Sequence, residues 1–399
     1  EEKADVYLIN TCSVTNMADK KSRQMIHRAK KLNPDAVVIA AGCYVQAAKD
    51  KLMEDDRISI IIGNNKKKDI VQILEDYLEI GVTDEGMLDI AAEKEYEPLT
   101  INSTLEHTRA YVKIQDGCNQ FCSYCIIPYV RGRIRSRELA SITEEVERLA
   151  QTGVKEIVLT GIHISSYGKD KENEVGLADV IDAISKIESI ERIRLGSLEP
   201  GIITDTFIDR IVDNKKVCPH FHLSLQSGCN TVLKRMNRKY TCEEYFEKCE
   251  MLRKAFDRPA LTTDVIVGFP GETDEEFQET VDYLTKLNLY EMHIFKFSPR
   301  QGTVAAGMRD QIGPEIKNQR SDVLLALSEK NKHAYEASFR GETLEVLIEE
   351  KVRRNGKDGY RGHTERYIDI FVEEECMHRI CGREVDIINH IVQIPYGME

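Results

Sequence analysis

Over roughly the first eighty residues, short apolar runs alternate with longer amphipathic stretches. The runs at residues 6–10, 37–41 and 58–62 predict buried strands, and helices are predicted between and after them, at 17–31, from about Val45 and at 69–78. This alternation is typical of a doubly wound α/β domain with a parallel sheet. Cys12 and Cys43 each lie just past a predicted strand, at the edge where ligands bind in such sheets.

A second strand–helix series begins near residue 107, and each predicted strand ends in a polar or glycine-bearing turn. Six such units with right-handed crossovers predict an incomplete version of the (β/α)8 barrel, whose active site is built from the loops after the strands. The predicted strands are residues 111–115, 156–160, 192–196, 221–225, 262–267 and 292–297, and the clearest helices are 142–151, 243–255 and 274–287.

The hydrophobic period changes again near the C-terminus. A long amphipathic helix is predicted at 313–339, after which Leu344, Val346 and Ile348 alternate with polar residues. Short strands separated by glycines predict a small β-barrel of the oligonucleotide-binding kind. The predicted boundaries are therefore an N-terminal domain at 1–82, an acidic linker at 83–106, the barrel at 107–338 and the small β-barrel at 339–399.

The amino-acid composition is typical of a soluble globular protein. Charged residues make up 31% and hydrophobic residues 41%, and no apolar run approaches the roughly 18 residues of a membrane span. No signal peptide is visible, so the 11 cysteines argue for metal or redox chemistry in a reducing cytoplasm rather than for disulfides. The chain starts at Glu1 almost directly before a strand, which predicts a fragment. The net charge of −13 does not indicate a nucleic-acid binder, although basic residues cluster at 20–31, 131–137 and 351–366.

The strongest chemical signal is a group of three cysteines, Cys118, Cys122 and Cys125, within eight residues. Structural zinc normally takes four ligands, commonly from separated pairs of cysteines. Iron–sulfur clusters also usually take four thiolates, so three thiolates leave one iron open to bind a substrate. The spacing favours a [4Fe–4S] cluster, with structural zinc as the alternative.

This CxxxCxxC spacing, with the aromatic Tyr124 before the last cysteine, resembles the radical S-adenosylmethionine superfamily. The resemblance implies that the open iron chelates the methionyl group and that electron transfer frees a 5′-deoxyadenosyl radical, while the protein positions the reactants. It also implies that residues on the barrel loops contact the cofactor. The alternative is that these residues have only structural roles, as a turn glycine, a surface carboxylate or part of a buried strand. The residues so implicated are Gly161, Glu199, Gln226, Val267 and Gly268; Gly161 is followed by Ile162 and His163 rather than by the family's acidic residue.

Three N-terminal segments carry a narrower resemblance. Asn10-Thr11-Cys12, Lys21-Ser22-Arg23-Gln24 and Gly42-Cys43-Tyr44-Val45-Gln46 are similar to the methylthiotransferases, where three cysteines bind a second [4Fe–4S] cluster. The resemblance implies that Cys12 and Cys43 are two of those ligands and that the family's first cysteine lies before the start of this chain. On spacing alone, two buried cysteines without a ligand would be an equal interpretation. The order of the domains, ending in a TRAM-type β-barrel, also matches the family.

Clusters of basic residues indicate which substrate is modified and where RNA binds. The segment at 128–137 is most similar to the branch that modifies threonylcarbamoyladenosine in tRNA, whose substrate carries a carboxylate that an arginine fork can bind. The alternative for any single arginine is a phosphate contact or a solvated loop. The predicted RNA-binding residues are Arg131, Arg133, Arg135 and Arg137 in this segment and Lys351, Arg353, Arg354 and Arg361 in the C-terminal domain.

The resemblance thus implies a cytoplasmic enzyme that uses two [4Fe–4S] clusters and S-adenosylmethionine to add a methylthio group to C2 of modified adenosine 37. Its predicted partners are a tRNA anticodon stem-loop and a low-potential electron donor, with no membrane. The rival substrates are isopentenyladenosine in tRNA and an aspartate of a ribosomal protein. A rival of another class is a non-catalytic iron–sulfur protein that binds RNA.

Overall fold

A computed structural model describes residues 2–13, 16–81, 87–100, 108–172, 175–382 and 386–397. It divides the chain into two compact units that interleave along the sequence. The first unit consists of Glu1–Leu99, Gln115–Ser136 and Ser298–Arg309, and the second of Thr100–Ile114, Arg137–Phe297 and Asp310–Glu399.

The first unit is built on a parallel sheet in the order β1-β2-β3, covered by helices on both faces. Ile26 of α1 packs with Val38 on one face, and Leu74 of α4 packs with Ile60 on the other. The doubly wound arrangement predicted from the alternating pattern is therefore confirmed. The elements are β1 (Val6–Thr11), α1 (Asn16–Leu32), β2 (Val37–Gly42), α2 (Cys43–Ala47), α3 (Lys49–Met53), β3 (Ile60–Ile62), α4 (Ile70–Ile80), the end of β4 (Arg109–Asp116), α5 (Ile127–Val130) and β5 (Arg135–Ser136).

The predicted linker lies partly outside the described residues, at 83–86 and 101–106. Its described part, 87–100, has no regular secondary structure, and residues 87–99 of it pack within the first unit. The Glu97 carboxylate is buried and accepts a hydrogen bond from the backbone N–H of Lys68 at 3.1 Å, and the Asn65 side chain donates to the Glu95 carbonyl at 3.2 Å.

The second unit carries the barrel strands. All six strands predicted from the sequence are present, with bounds shifted by a few residues at most. After β4, the elements are α6 (Leu139–Gln151), β6 (Glu156–Gly161), α7 (Leu177–Ser185), β7 (Arg192–Leu195), α8 (Asp205–Ile211), β8 (His220–His222), α9 (Asn230–Arg235), α10 (Cys242–Ala255), β9 (Ala260–Val267), α11 (Asp274–Leu287), β10 (Glu291–Lys296) and α12 (Pro314–Ala337).

In this array of strands, parallel pairing joins β6 to β7, β8 to β9 and β9 to β10. One sheet contains β4, β6 and β7 and the other β8, β9 and β10, and parallel bridges such as Leu198 with Leu223 join β7 to β8. Alternate residues pack outward against the helices, as Ile157, Phe221 and Leu261 do in the main hydrophobic core. The other residues of each strand point into the interior of the array.

A curled antiparallel sheet in the order β13-β12-β11-β14 follows α12 and is consistent with a small barrel. Its strands have a core of their own that includes Val346, Ile370 and Ile394. Helix α13 and the last strand were not anticipated from the sequence. The elements are β11 (Thr343–Arg354), β12 (Lys357–Thr364), β13 (Asp369–Glu373), α13 (Glu374–Cys381) and β14 (Ile391–Pro395). Among the described helices, none has the length and apolarity that crossing a bilayer requires.

Candidate functional site

The loop with three cysteines joins β4 to α5 in the first unit. Cys118 is buried, whereas Cys122 and Cys125 are half-buried, and none of the three forms a disulfide. Two backbone hydrogen bonds shape the loop, from Cys118 N–H to the Gly132 carbonyl and from Cys125 N–H to the Cys122 carbonyl, both at 3.0 Å. The Gln120 N–H donates to Cys118 Sγ at 3.5 Å.

Gly117 sets the entry to this loop. Its φ is +72°, and a Cβ there would lie 1.7 Å from the Arg133 carbonyl oxygen. Only glycine fits a backbone that approaches so closely in the left-handed region. Three sulfur donors on such a fixed turn suit an iron–sulfur cluster, so the residues present fit the predicted [4Fe–4S] group.

Cys12 and Cys43 follow neighbouring strands. Thr11 pairs with Gly42 in the parallel register of β1 and β2, so the cysteine after each comes from the same edge of the sheet. Cys12 is exposed, whereas Cys43 is buried and opens α2. Two thiols at the carboxyl edge of the sheet fit the role predicted for them as ligands.

Arg131 links the two cysteine-bearing regions, a contact that sequence reasoning missed. Its Nε donates to Cys43 Sγ at 3.1 Å, and another guanidinium nitrogen lies 3.1 Å from an Asp116 oxygen, two residues before Cys118. Burial acts to lower the pKa of Arg131, but the charges of Asp116 and Cys43 outweigh it and raise the pKa. Arg131 is thus a fixed cation beside a predicted cluster ligand, rather than a solvated contact for RNA.

A third segment of the first unit, Ser298–Arg309, supports both cysteine regions. Arg300 donates to Ser13 Oγ at 2.7 Å and to an Asp19 oxygen at 2.7 Å, directly beside Cys12. The Ala305 N–H donates to the Ser123 carbonyl at 2.8 Å, inside the cysteine loop. Tyr124, in the same loop, is half-buried.

In the second unit, Glu199 sits between two basic side chains. Its carboxylate lies 3.3 Å from His163 Nε2 and 3.8 Å from an Arg238 nitrogen. Burial acts to raise the pKa of Glu199, but the hydrogen bond with His163 and the charge of Arg238 outweigh it and lower the pKa. Gly161 ends β6, and His163 follows at the position where the family has an acidic residue. His163 and Arg238 therefore hold an ionised carboxylate in place.

Gln226 has a strained backbone. Its φ is +75°, unusual for a residue other than glycine, and it is held by hydrogen bonds to the Asp264 carbonyl at 2.9 Å and from the Ile266 N–H at 2.8 Å. Such strain persists where the surroundings enforce it, commonly at functional sites. Gln226 is also buried, at 8% exposure.

Gly268 and Val267 differ in what they can offer a ligand. Gly268 has a φ of +70°, and its N–H donates to a Glu272 oxygen at 2.7 Å. The Val267 side chain is buried in the main hydrophobic core, and its carbonyl accepts a hydrogen bond from Phe297 N–H at 2.9 Å. The prediction that Val267 contacts the cofactor therefore does not fit its side chain, and Ile266, which points to the opposite face, is better placed.

The remaining arginines of the 131–137 segment separate into two groups. Arg135 is 1% exposed and donates to the Arg133 carbonyl, and Arg137 is 2% exposed and forms an ion pair with Glu145. For Arg135 and Arg137, the prediction of RNA contact does not fit this burial. Arg133 is exposed, and its guanidinium lies 4.5 Å from the centre of the Phe121 ring in the cysteine loop.

The predicted basic residues of the C-terminal sheet are paired with acidic neighbours; Lys351, Arg353 and Arg354 are exposed and Arg361 is half-buried. Exposed ion pairs of this kind contribute roughly 0–1 kcal/mol, so they exchange readily for a phosphate. The pairs are Lys351 with Glu374, Arg353 with Asp358, Arg354 with Asp369, and Arg361 with both Glu350 and Asp369.

Family models match two parts of the chain. The model described as "Radical SAM superfamily" matches residues 112–284, and that described as "Uncharacterized protein family UPF0004" matches residues 1–63. The first match covers the cysteine loop and most of the barrel strands, and the second covers Cys12 and Cys43.

Curated relatives match nearly the whole length. The threonylcarbamoyladenosine tRNA methylthiotransferase MtaB of Bacillus subtilis is 41% identical over 397 residues, which are 99% of this chain and 86% of the relative. MtaB of Aquifex aeolicus is 40% identical, covering 93% of this chain and 88% of the relative. The tRNA-2-methylthio-N(6)-dimethylallyladenosine synthase of Thermoanaerobacter pseudethanolicus is 37% identical, covering 96% and 83%.

Among solved structures, the radical S-adenosylmethionine methyltransferase TsrM from Kitasatospora setae is similar in fold. The TM-score is 0.59 at 15% identity, over 77% of this chain and 66% of that chain. At this identity the likeness concerns the fold alone.

Proposed function

The chain belongs to the radical S-adenosylmethionine methylthiotransferases, and from this premise we propose that it adds a methylthio group to C2 of N6-threonylcarbamoyladenosine at position 37 of tRNA. The two MtaB relatives, which carry this substrate in their names, are 41% and 40% identical to the chain. Relatives named for dimethylallyladenosine are 37% identical or less, which makes that substrate the alternative.

The chain's own side chains divide the work of holding the cofactors. Cys118, Cys122 and Cys125 would hold the first cluster, and Cys12 and Cys43 would supply two of the three thiolates of the second. The clusters and S-adenosylmethionine, when bound, supply the one-electron chemistry that removes the C2 hydrogen and the methyl and sulfur groups that replace it.

Glu199 and Gln226 would orient S-adenosylmethionine. The ionised Glu199 carboxylate suits the cationic methionyl amino group, and His163 and Arg238 fix its position. The buried amide of Gln226, set by its left-handed backbone, is suited to the hydroxyls of the ribose.

Arg133 is the residue that distinguishes the two tRNA substrates in this proposal. Of the four arginines predicted in this segment, Arg131, Arg135 and Arg137 are engaged by protein groups, and Arg133 alone presents an exposed guanidinium. Threonylcarbamoyladenosine has a carboxylate that a guanidinium binds in a bidentate manner, whereas a dimethylallyl group has none. The exposed Arg133 over Phe121, in the loop that bears the three cysteines, is the single observation that carries this proposal.

We further propose that the C-terminal sheet, as a TRAM-type domain, grips the anticodon stem-loop through its exposed basic residues. The adenosine would leave the base stack to react, as bases do in other enzymes that modify them. A low-potential electron donor and a cytoplasmic location follow from the same chemistry, because the cluster must be reduced in a reducing compartment.

Mass spectrometry of tRNA nucleosides from a strain that lacks the gene tests the proposed substrate. We expect 2-methylthio-threonylcarbamoyladenosine to disappear, its unmethylthiolated precursor to accumulate, and the gene to restore it. Loss of 2-methylthio-isopentenyladenosine, or of a methylthiolated ribosomal aspartate with the tRNA unchanged, would assign the enzyme to another substrate.

A further inference from the structure

Two histidines and an aspartate converge on the inner side of three adjacent barrel strands. His222 ends β8, Asp264 lies in β9 and His293 lies in β10, and His293 pairs directly with Asp264 in the parallel register. His222 pairs with Thr262, two residues before Asp264. Because alternate residues of a strand share a face, Asp264 and Thr262 point to the same side of the sheet.

The donor atoms of the three side chains gather in a small volume. His222 Nε2 lies 3.4 Å from one Asp264 oxygen, and His293 Nδ1 lies 3.3 Å from the other. One ligand atom from each residue can be chosen so that all three lie within 4.8 Å of one another. Donors about 2.0–2.1 Å from a metal ion in a tetrahedron lie about 3.3–3.4 Å apart, and each histidine nitrogen is at such a distance from one Asp264 oxygen, although the two histidines contact different oxygens.

This spacing is longer than that of a strong, charge-assisted ion pair. Charge-assisted N–H···O bonds are typically about 2.7–2.9 Å long. The buried pair of Arg194 and Glu156 in the same unit has that length, at 2.7 Å. The contacts from Asp264 to the two histidines are longer than this, and the His293 contact at 3.3 Å is a weak hydrogen bond that an ion placed among the three side chains would replace.

A supporting hydrogen bond fixes one imidazole. His222 Nδ1 lies 3.0 Å from the hydroxyl of Thr262, whose side chain is buried, so that Nε2 is the nitrogen directed at Asp264. Metal-binding histidines commonly use one ring nitrogen for the metal and the other for such a partner. The rings of His222 and His293 are nearly parallel, with centres 5.4 Å apart, and the half-exposed His293 leaves the group accessible.

We propose that His222, Asp264 and His293 bind one divalent first-row transition-metal ion, distinct from the iron–sulfur clusters. Two imidazole nitrogens and a carboxylate suit zinc, iron(II) or manganese(II), and three protein ligands leave coordination positions for water or another small ligand. The site lies on strands of the second unit and depends neither on the cysteines nor on the substrate of the enzyme.

Titration with Mn²⁺, followed by electron paramagnetic resonance, tests the site on the holoprotein, whose oxidised [4Fe–4S] clusters give no signal. We expect one Mn²⁺ to bind per chain and Zn²⁺ to displace it, because zinc binds such donors more tightly than manganese. In Asp264→Asn, and in His293→Gln at the half-exposed position, affinity should fall roughly tenfold or more; Thr262→Val should weaken binding in the same direction.

His333→Ala is the matched control. His333 pairs with Glu329 at 3.0 Å on the exposed face of α12, a histidine–carboxylate pair for which the described part of the chain supplies no third candidate ligand, and its loss should leave Mn²⁺ binding unchanged. Iron content of each variant verifies folding. Absence of Mn²⁺ binding, or equal affinity in His293→Gln and the parent protein, would overturn the proposal and leave a hydrogen-bonded triad.

Discussion

Replacing Glu199 by glutamine removes one negative charge without changing the size of the side chain. The carboxylate is 14% exposed and has a lowered pKa, so it is ionised at neutral pH. An ionised carboxylate has about four acceptor positions, which is enough to accept from a cationic amino group in addition to its contacts with the protein. A hydrogen bond between charged groups contributes about 1.5–3 kcal/mol, and about 1.4 kcal/mol is tenfold in affinity. We therefore expect Glu199→Gln to bind S-adenosylmethionine about 10- to 100-fold more weakly.

Equilibrium dialysis of labelled S-adenosylmethionine against anaerobically reconstituted protein measures this change. Glu349→Gln is the control, because Glu349 is also 14% exposed and contacts two basic side chains, Arg109 and His363, but lies in the C-terminal sheet. Its affinity should equal that of the parent protein. If Glu199→Gln retained its affinity within twofold at equal iron content, Glu199 would serve only to pair with His163 and Arg238, and our assignment would be refuted.

Further predictions concern the first unit. Gly117→Ala should lose the cluster of the cysteine loop, because the added Cβ would clash with the Arg133 carbonyl. Gly307→Ala is the control and should keep the cluster, because a Cβ added there meets no neighbouring atom within 4 Å. The iron content of each variant measures the difference. Arg133→Ala should lower kcat/KM for a threonylcarbamoylated stem-loop roughly 10- to 100-fold without changing S-adenosylmethionine affinity, and an unchanged kcat/KM would exclude its role. Arg131→Met should lower the reduction potential of the cluster held by Cys43 by roughly 50 mV or more. A unit charge about 6 Å away contributes about 2–3 kcal/mol at an effective dielectric constant of ~20. The ion pair with Asp116 reduces this contribution. A free-energy change of about 1.4 kcal/mol corresponds to about 59 mV for a one-electron reduction. An unchanged reduction potential in Arg131→Met, measured by potentiometry, would contradict this prediction.

Hydrophobic periodicity was sufficient to predict the strands, because it reports the burial of each face. The sequence placed a strand at 262–267, and β9 runs from Ala260 to Val267. Periodicity gives the alternation of faces but not which face meets a ligand. Val267 was assigned to the cofactor from the family resemblance, although its side chain packs in the hydrophobic core.

Contacts between distant segments were beyond the sequence pattern. The charge of the 131–137 segment suggested that it faces RNA, yet Arg131 reaches Cys43, 88 positions earlier in the chain. Nothing in the local pattern distinguishes an arginine that donates to a sulfur atom from one that is solvated. The convergence of His222, Asp264 and His293 also depends on strand register, which local composition does not specify.

Anaerobic analysis of iron, sulfide and S-adenosylmethionine cleavage, in the parent protein and in Cys118→Ala, tests the central claim most directly. We predict that the parent protein, once reduced, produces methionine and 5′-deoxyadenosine, and that the variant loses one cluster's iron and sulfide together with this activity. Zinc bound at the loop with a fourth protein ligand, and no iron, would contradict the account.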